Sequence, residues 1–138
     1  MNCPFCDIDT TKNCIIKENK HVYVTLSNPR LMKGHLLVIP KRHVEKISEL
    51  SDEERSALLD LVIKFQELII AKLAPGCDIR QNYRPFQKQG RIKVTHLHIH
   101  LLPRNLKDEL YEGCQKYETE IFTVLSTKEE SEIANLLA

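Results

Sequence analysis

The chain has 138 residues, 42% hydrophobic and 28% charged, the balance of an ordinary folded domain and not of a disordered or membrane-spanning chain. Its 20 basic and 19 acidic side chains leave a formal charge of +1, which gives no global electrostatic reason to expect a nucleic-acid polymer as partner and leaves a small anionic ligand to local charge. The N-terminus has no apolar leader and no stretch reaches the length of a membrane span, so the odd number of cysteines, five, predicts a cytoplasmic protein without a disulfide framework.

Cys3-Pro4-Phe5-Cys6 opens the chain as a tight turn carrying two thiols. These are either half of a tetrahedral metal site, which needs two further ligands, or a pair of plain N-terminal thiols; a redox pair fits less well, because no helical pattern follows. Two runs rich in β-branched residues, 14–18 and 21–27, flank Asn19-Lys20 and predict a hairpin. Asn28-Pro29 breaks the pattern, and the nearly continuous apolar run from His35 to Pro40 predicts a central strand whose mouth holds His35 beside Gly34. Ser51 with Glu54 three residues on makes a capping box, and Leu58, Leu61, Val62, Phe65, Leu68, Ile69 and Leu73 recur at helical steps, so one long helix should cover a sheet face and end at Pro75-Gly76. Residues 77–83 predict a further strand, 84–90 a polar loop, and 93–102 a strand that Pro103 stops. Beyond it, 104–118 predicts a short surface helix, 121–125 an edge strand, and 127–137 a terminal helix capped by Ser126.

The stretch His96-Leu97-His98-Ile99-His100-Leu101 alternates imidazole and aliphatic strictly, which places all three histidines on one face of a half-buried strand with next-but-one side chains roughly 7 Å apart. Three imidazoles in a row are too costly to be packing, because every buried ring nitrogen needs a partner. The elements in this order predict one α+β domain over residues 1–138, an antiparallel sheet of about five strands with one long helix and a C-terminal helix.

At this point His96-Leu97-His98-Ile99-His100-Leu101-Leu102-Pro103-Arg104 and the segment from Gly34 to His43 together resemble the two signature stretches of the histidine triad (HIT) family of nucleotidyl hydrolases and transferases. The resemblance covers about residues 3–104 and leaves 105–138 as an extension without a motif. It implies a HIT-like fold and attack by His98 on the α-phosphate of a nucleoside phosphate derivative, through a nucleotidyl-histidine. His100 would contact the phosphate oxygens and His35 the region of the leaving group. Branches of the family with an N-terminal C-x-x-C imply structural zinc on Cys3, Cys6, His43 and His96. Family members are often homodimers, so a homodimer acting on a small nucleotide is implied, with no membrane partner.

Several positions depart from that pattern. Where the family has Gly-Gln-Ser or a close variant before the triad, this chain has Arg91, Ile92 and Lys93, with Arg91 or Lys93 as point charges toward an anionic ligand. Ser27 stands where an acidic residue commonly holds the ribose, and Asn82 matches the family's pocket asparagine. The resemblance therefore implies an enzyme acting on a dinucleoside polyphosphate, a nucleoside phosphoramidate or an adenylated small molecule. The alternatives are a nucleotide-binding module without turnover, and an open catalytic zinc held by the three histidines. The last fits poorly, since the outer rings on an extended strand are based about 13 Å apart.

Overall fold

A computed structural model describes residues 3–138. Its strands are β1 (Ile15–Glu18), β2 (Val22–Leu26), β3 (Leu36–Pro40), β4 (Gly76–Arg80) and β5 (Ile99–Arg104), and its longest helix, α1 (Asp52–Lys72), lies between β3 and β4 in the chain. The strands make one antiparallel sheet in the order β1-β2-β3-β5-β4. The expected α+β architecture, with about five antiparallel strands and one long helix, is what the chain adopts.

The sheet divides its residues by the period of two. Val22, Val24, Leu36, Val38, Ile99 and Leu101 face α1 and pack on Leu58, Leu61, Val62, Phe65 and Ile69. On the opposite face Tyr23, Leu37 and Ile39 pack against Phe5, Ile8 and Ile15, so the N-terminal segment covers the sheet from that side. Register carries the division across strands: Leu37 pairs with His100, which pairs in turn with Arg80. These residues therefore stand on the face away from α1.

The start of α1 is built as its capping box predicts. Ser51 Oγ accepts from the Glu54 N–H at 3.2 Å, and Glu54 Oε1 accepts from the Ser51 N–H at 2.9 Å. Glu54 also takes two bonds from the Arg42 guanidinium, at 3.0 and 2.8 Å, which tie the segment after β3 to the head of the helix. Its carboxyl is held down to about 2, first by Arg42 and then by the Ser51 backbone.

Four strand expectations need correction, and the first is that β4 ends at Arg80, short of the expected residue 83. β5 begins at Ile99 rather than at 93, because its pairing with β3 starts at Val38↔Ile99, and the chain before it is held elsewhere, by Leu97 N–H donating to the Val44 carbonyl at 2.7 Å. Pro103 lies inside β5, paired with Cys77, and does not end it. The ladder with β3 finishes at Leu36↔Leu101, so from there β5 has one neighbour and a residue without an N–H is tolerated. Residues 121–125 form no strand: Ile121, Phe122, Val124 and Leu125 are exposed, and strand propensity without a ladder partner does not make a strand.

The chain separates into one compact unit ending at Leu106 and a second, Lys107–Ala138. The second unit holds a π-helical turn, Tyr111–Gln115, then α2 (Lys116–Glu118) and α3 (Thr127–Leu137). Ser126 caps α3 by accepting from the Glu129 N–H at 3.1 Å, and Ile133, Leu136 and Leu137 are exposed on it. Among the described residues, no helix is long and apolar enough to cross a membrane.

Candidate active site

A cavity of ≈ 530 Å³ opens on the sheet face away from α1, with His35, His98 and His100 among its lining residues. Each imidazole is placed by a different element. His35 precedes β3, where Gly34, at φ +84, bends the chain in a conformation that side chains other than glycine adopt only with strain. His100 is in β5, and His98 sits one residue before that strand.

Hydrogen bonds fix which nitrogen of each ring carries the proton. His98 Nδ1 lies 2.6 Å from the His96 carbonyl oxygen, which can only accept, so Nδ1 is the donor and Nε2 keeps its lone pair. The Leu31 N–H donates to His35 Nδ1 at 3.0 Å, so the His35 proton is on Nε2. That nitrogen lies 2.8 Å from His100 Nδ1, which must accept and leaves the His100 proton on Nε2. One backbone amide therefore sets a directed chain, Leu31 to His35 to His100, ending in a donor.

Burial keeps the rings neutral. It is the largest influence on His35, pushed down to about 4 with the Arg80 charge adding to it, and on His100, pushed down to about 3 with His98, His35 and Arg80 behind. His98 is lowered chiefly by burial, against the opposing pull of the His96 carbonyl. At neutral pH the cavity thus holds a lone pair on His98 and a hydrogen-bond donor on His100.

The remaining expected residues are distributed unevenly. Asn82, Ser27 and Arg91 line the cavity, although the Ser27 hydroxyl already donates to the Pro29 carbonyl at 2.9 Å. Lys93 is turned away from the lining: its ammonium donates to the Arg84 carbonyl at 2.9 Å and reaches His98 only as a nearby positive charge. Two lining residues were missed by the sequence reading. Phe5 stands edge-on to His98 with ring centroids 5.2 Å apart, and its carbonyl accepts from the Tyr23 hydroxyl at 2.6 Å. Arg80 lies directly across the ladder from His100. Its signal was available, because Arg80 and Asn82 are two apart and share a face of an extended chain.

A second cluster lies beside the cavity. The donor atoms of Cys3, Cys6, His43 and His96 all fall within 4.8 Å of one another. Cys3 Sγ is 3.3 Å from His96 Nδ1, and Cys6 Sγ is 3.3 Å from His43 Nδ1 and 3.5 Å from His96 Nδ1. A tetrahedral ion bonded to sulfur at about 2.3 Å and to nitrogen at about 2.0–2.1 Å requires sulfur–nitrogen edges of roughly 3.5 Å, which these three contacts match. His96 is prepared for it: Nε2 donates to the Pro40 carbonyl at 2.7 Å, which leaves the Nδ1 lone pair facing the thiols. Among the described residues His98 and His100 join no such group, and the four expected ligands are the ones brought together.

Comparison with known proteins places these features. A model of the HIT domain matches residues 9–107. Over 109 residues the chain is 37% identical to an adenosine 5'-monophosphoramidase of Schizosaccharomyces pombe, a match spanning 75% of this chain and 75% of that protein. A HIT family protein of Bacillus anthracis has a similar structure, with a TM-score of 0.69 at 27% identity over 99% of this chain and 94% of that one. A Zn-bound histidine triad family protein of Mycobacterium smegmatis is similar with a TM-score of 0.65 at 27% identity, over 80% of each chain.

Proposed function

The chain belongs to the HIT domain family, and from that premise we propose that it is a nucleotidyl hydrolase or transferase acting on the α-phosphate of a nucleoside phosphate derivative through a nucleotidyl-histidine on His98. The observation that carries this reading is the His98 tautomer: Nδ1–H is committed to the His96 carbonyl at 2.6 Å, and the Nε2 lone pair is free for attack.

In the first step the His98 Nε2 lone pair forms a bond to the α-phosphorus while the bond from phosphorus to the leaving group breaks, its electron pair going with the leaving group. Nδ1–H stays on the His96 carbonyl and spreads the positive charge that the ring acquires. His100 Nε2–H donates a hydrogen bond to a phosphoryl oxygen, steadied from behind by His35. In the second step the oxygen of water bonds to phosphorus, the nitrogen–phosphorus bond breaks, the water proton passes to solvent, and nucleoside monophosphate is released. Asn82 and Arg91 orient the substrate from the cavity wall.

Zinc is our reading of the metal, supported by the two-thiolate, two-imidazole donor set and by the Zn-bound relative. When bound it supplies a closed structural tie between the N-terminal turn, the segment after β3 and the chain leading into β5. We further read the chain as a homodimer: Leu59, Ile63 and Ile70 on α1 and Leu73 just past its end form an exposed stripe at steps of four, seven and three residues, and β4, with exposed Ile79, lies at the edge of the sheet.

The test is release of nucleoside monophosphate from adenylated and guanylated substrates by the wild type and by His98→Ala, both shown to be folded and equally metallated. Turnover lost in the variant by at least about 10³-fold supports the nucleophile. Binding of nucleotide without turnover by the wild type would replace this reading with that of a binding module.

A further inference from the structure

Six of this chain's seven arginines fall into two sets, with Arg84 in neither. Arg42, Arg55 and Arg104 each pair with a carboxylate, on Glu54, Asp52 and Asp78. Arg30, Arg80 and Arg91 line the cavity, and no aspartate or glutamate lines it with them. In a protein whose formal charge is only +1, that is a local concentration of uncompensated positive charge.

Arg80 stands apart within the second set. It is half-buried whereas Arg30 and Arg91 are exposed, it is fixed on β4 opposite His100, and among the described residues its guanidinium has no hydrogen-bond or ion-pair partner. Two residues earlier on the same strand, Asp78 pairs with Arg104, so the fold neutralises a guanidinium there and leaves one open at the cavity end. A half-buried guanidinium with five donors and no protein acceptor is left to water or to a ligand that brings its own acceptors. Arg80 also fills a functional gap: the Lys93 ammonium donates to the Arg84 carbonyl, and the Ile92 side chain at the cavity wall has no polar atom.

Resting on the reading of His98 as nucleophile, we propose that Arg80 seats the leaving group and selects one that is a polyphosphate over one that is an amine. The chemistry of the leaving group separates the two. When the phosphorus–nitrogen bond of a phosphoramidate breaks, the departing amine must gain a proton. It leaves without negative charge, and a guanidinium beside it offers no stabilisation. When a phosphoanhydride breaks, the electron pair stays on a phosphate oxygen, which leaves as an anion and needs no proton. What it needs is positive charge beside it, and Arg80 supplies that from the strand adjoining His100, with Arg30 and Arg91 nearer the rim.

The experiment compares the wild-type chain with Arg80→Gln and Arg80→Lys in two measurements. The first is calorimetric binding of inorganic tripolyphosphate, which needs no turnover. The second is kcat/KM for diadenosine tetraphosphate and for adenosine phosphoramidate. The expected result is a loss of about 10- to 100-fold in tripolyphosphate affinity and in kcat/KM for the tetraphosphate in Arg80→Gln, partly restored in Arg80→Lys, against less than about threefold on the phosphoramidate. Equal loss on both substrates, or tripolyphosphate affinity unchanged by Arg80→Gln, overturns the proposal. Tripolyphosphate binding that depends on Arg80 in a wild-type chain that turns over neither substrate supports the anion seat and overturns only the enzymatic reading.

Discussion

His96 and His98 are two residues apart and use opposite nitrogens for opposite purposes. His96 gives its Nε2 proton to the Pro40 carbonyl and presents Nδ1 to Cys3 and Cys6. His98 gives its Nδ1 proton to the His96 carbonyl and presents Nε2 to the cavity. The residue type is the same at both positions, and the ring chemistry is the same. What differs is which backbone carbonyl each ring meets, so the assignment of one histidine to a metal corner and the other to the reaction is made by main-chain geometry.

The sharpest way to break this comparison is to remove one ring's function and leave the other's. His98→Ala should reduce turnover by at least about 10³-fold while the bound-metal stoichiometry, read by atomic spectrometry, stays at the wild-type value. Replacing Cys3 and Cys6 together by serine should do the reverse first: metal is lost, and the thermal midpoint falls by about 10 °C or more as the tie between three chain segments goes. A variant of either kind that loses both metal and turnover at an unchanged midpoint would show that the two corners are one site.

A smaller effect tests the directed chain behind His100. In His35→Phe the His100 Nδ1 loses its donor, the ring is free to take the other tautomer, and kcat should fall about 10- to 100-fold with metal content unchanged. The smallest tests the clamp that carries His43. The Glu54 carboxyl is held at about 2 in the folded chain, against an ordinary 4.5. The stabilisation it gives is therefore complete above about pH 4.5 and fades as pH falls from there through about 2. Glu54→Gln should lower stability by about 1–2 kcal/mol at pH 7, a figure limited by the exposure of Arg42, and the gap to wild type in denaturant midpoints should close as pH falls through that window.

How much of this was legible in the sequence follows from the kind of signal each feature leaves. The capping box at Ser51 and Glu54 is a local pattern and holds in the fold, and the alternation of His96 to Leu101 holds in that Leu97, Ile99 and Leu101 enter the core, although the strand itself starts only at Ile99. The four metal-ligand positions followed from family resemblance, since nothing local to Cys3 or His43 shows that they meet across dozens of residues. The start of β5 was misjudged because it depends on where β3 stops offering a partner, and the residues 121–125 because their strand propensity has no second strand to answer it. Arg80 was passed over because a lone arginine at a strand end looks like any solvated charge until its neighbour across the ladder is known to be His100.

The amide of Leu31, which gives His35 its proton pattern, belongs to the peptide backbone and so is common to almost every residue that position accepts. The polarity of the imidazole chain is accordingly insulated from mutation at its origin: a new side chain at 31 keeps the donor, and only proline, which lacks the N–H, would let the chain reverse. Sequence variation at this position therefore says little about its importance, and a survey of side-chain replacements that omits proline would pass over the group on which the order of the three protons depends.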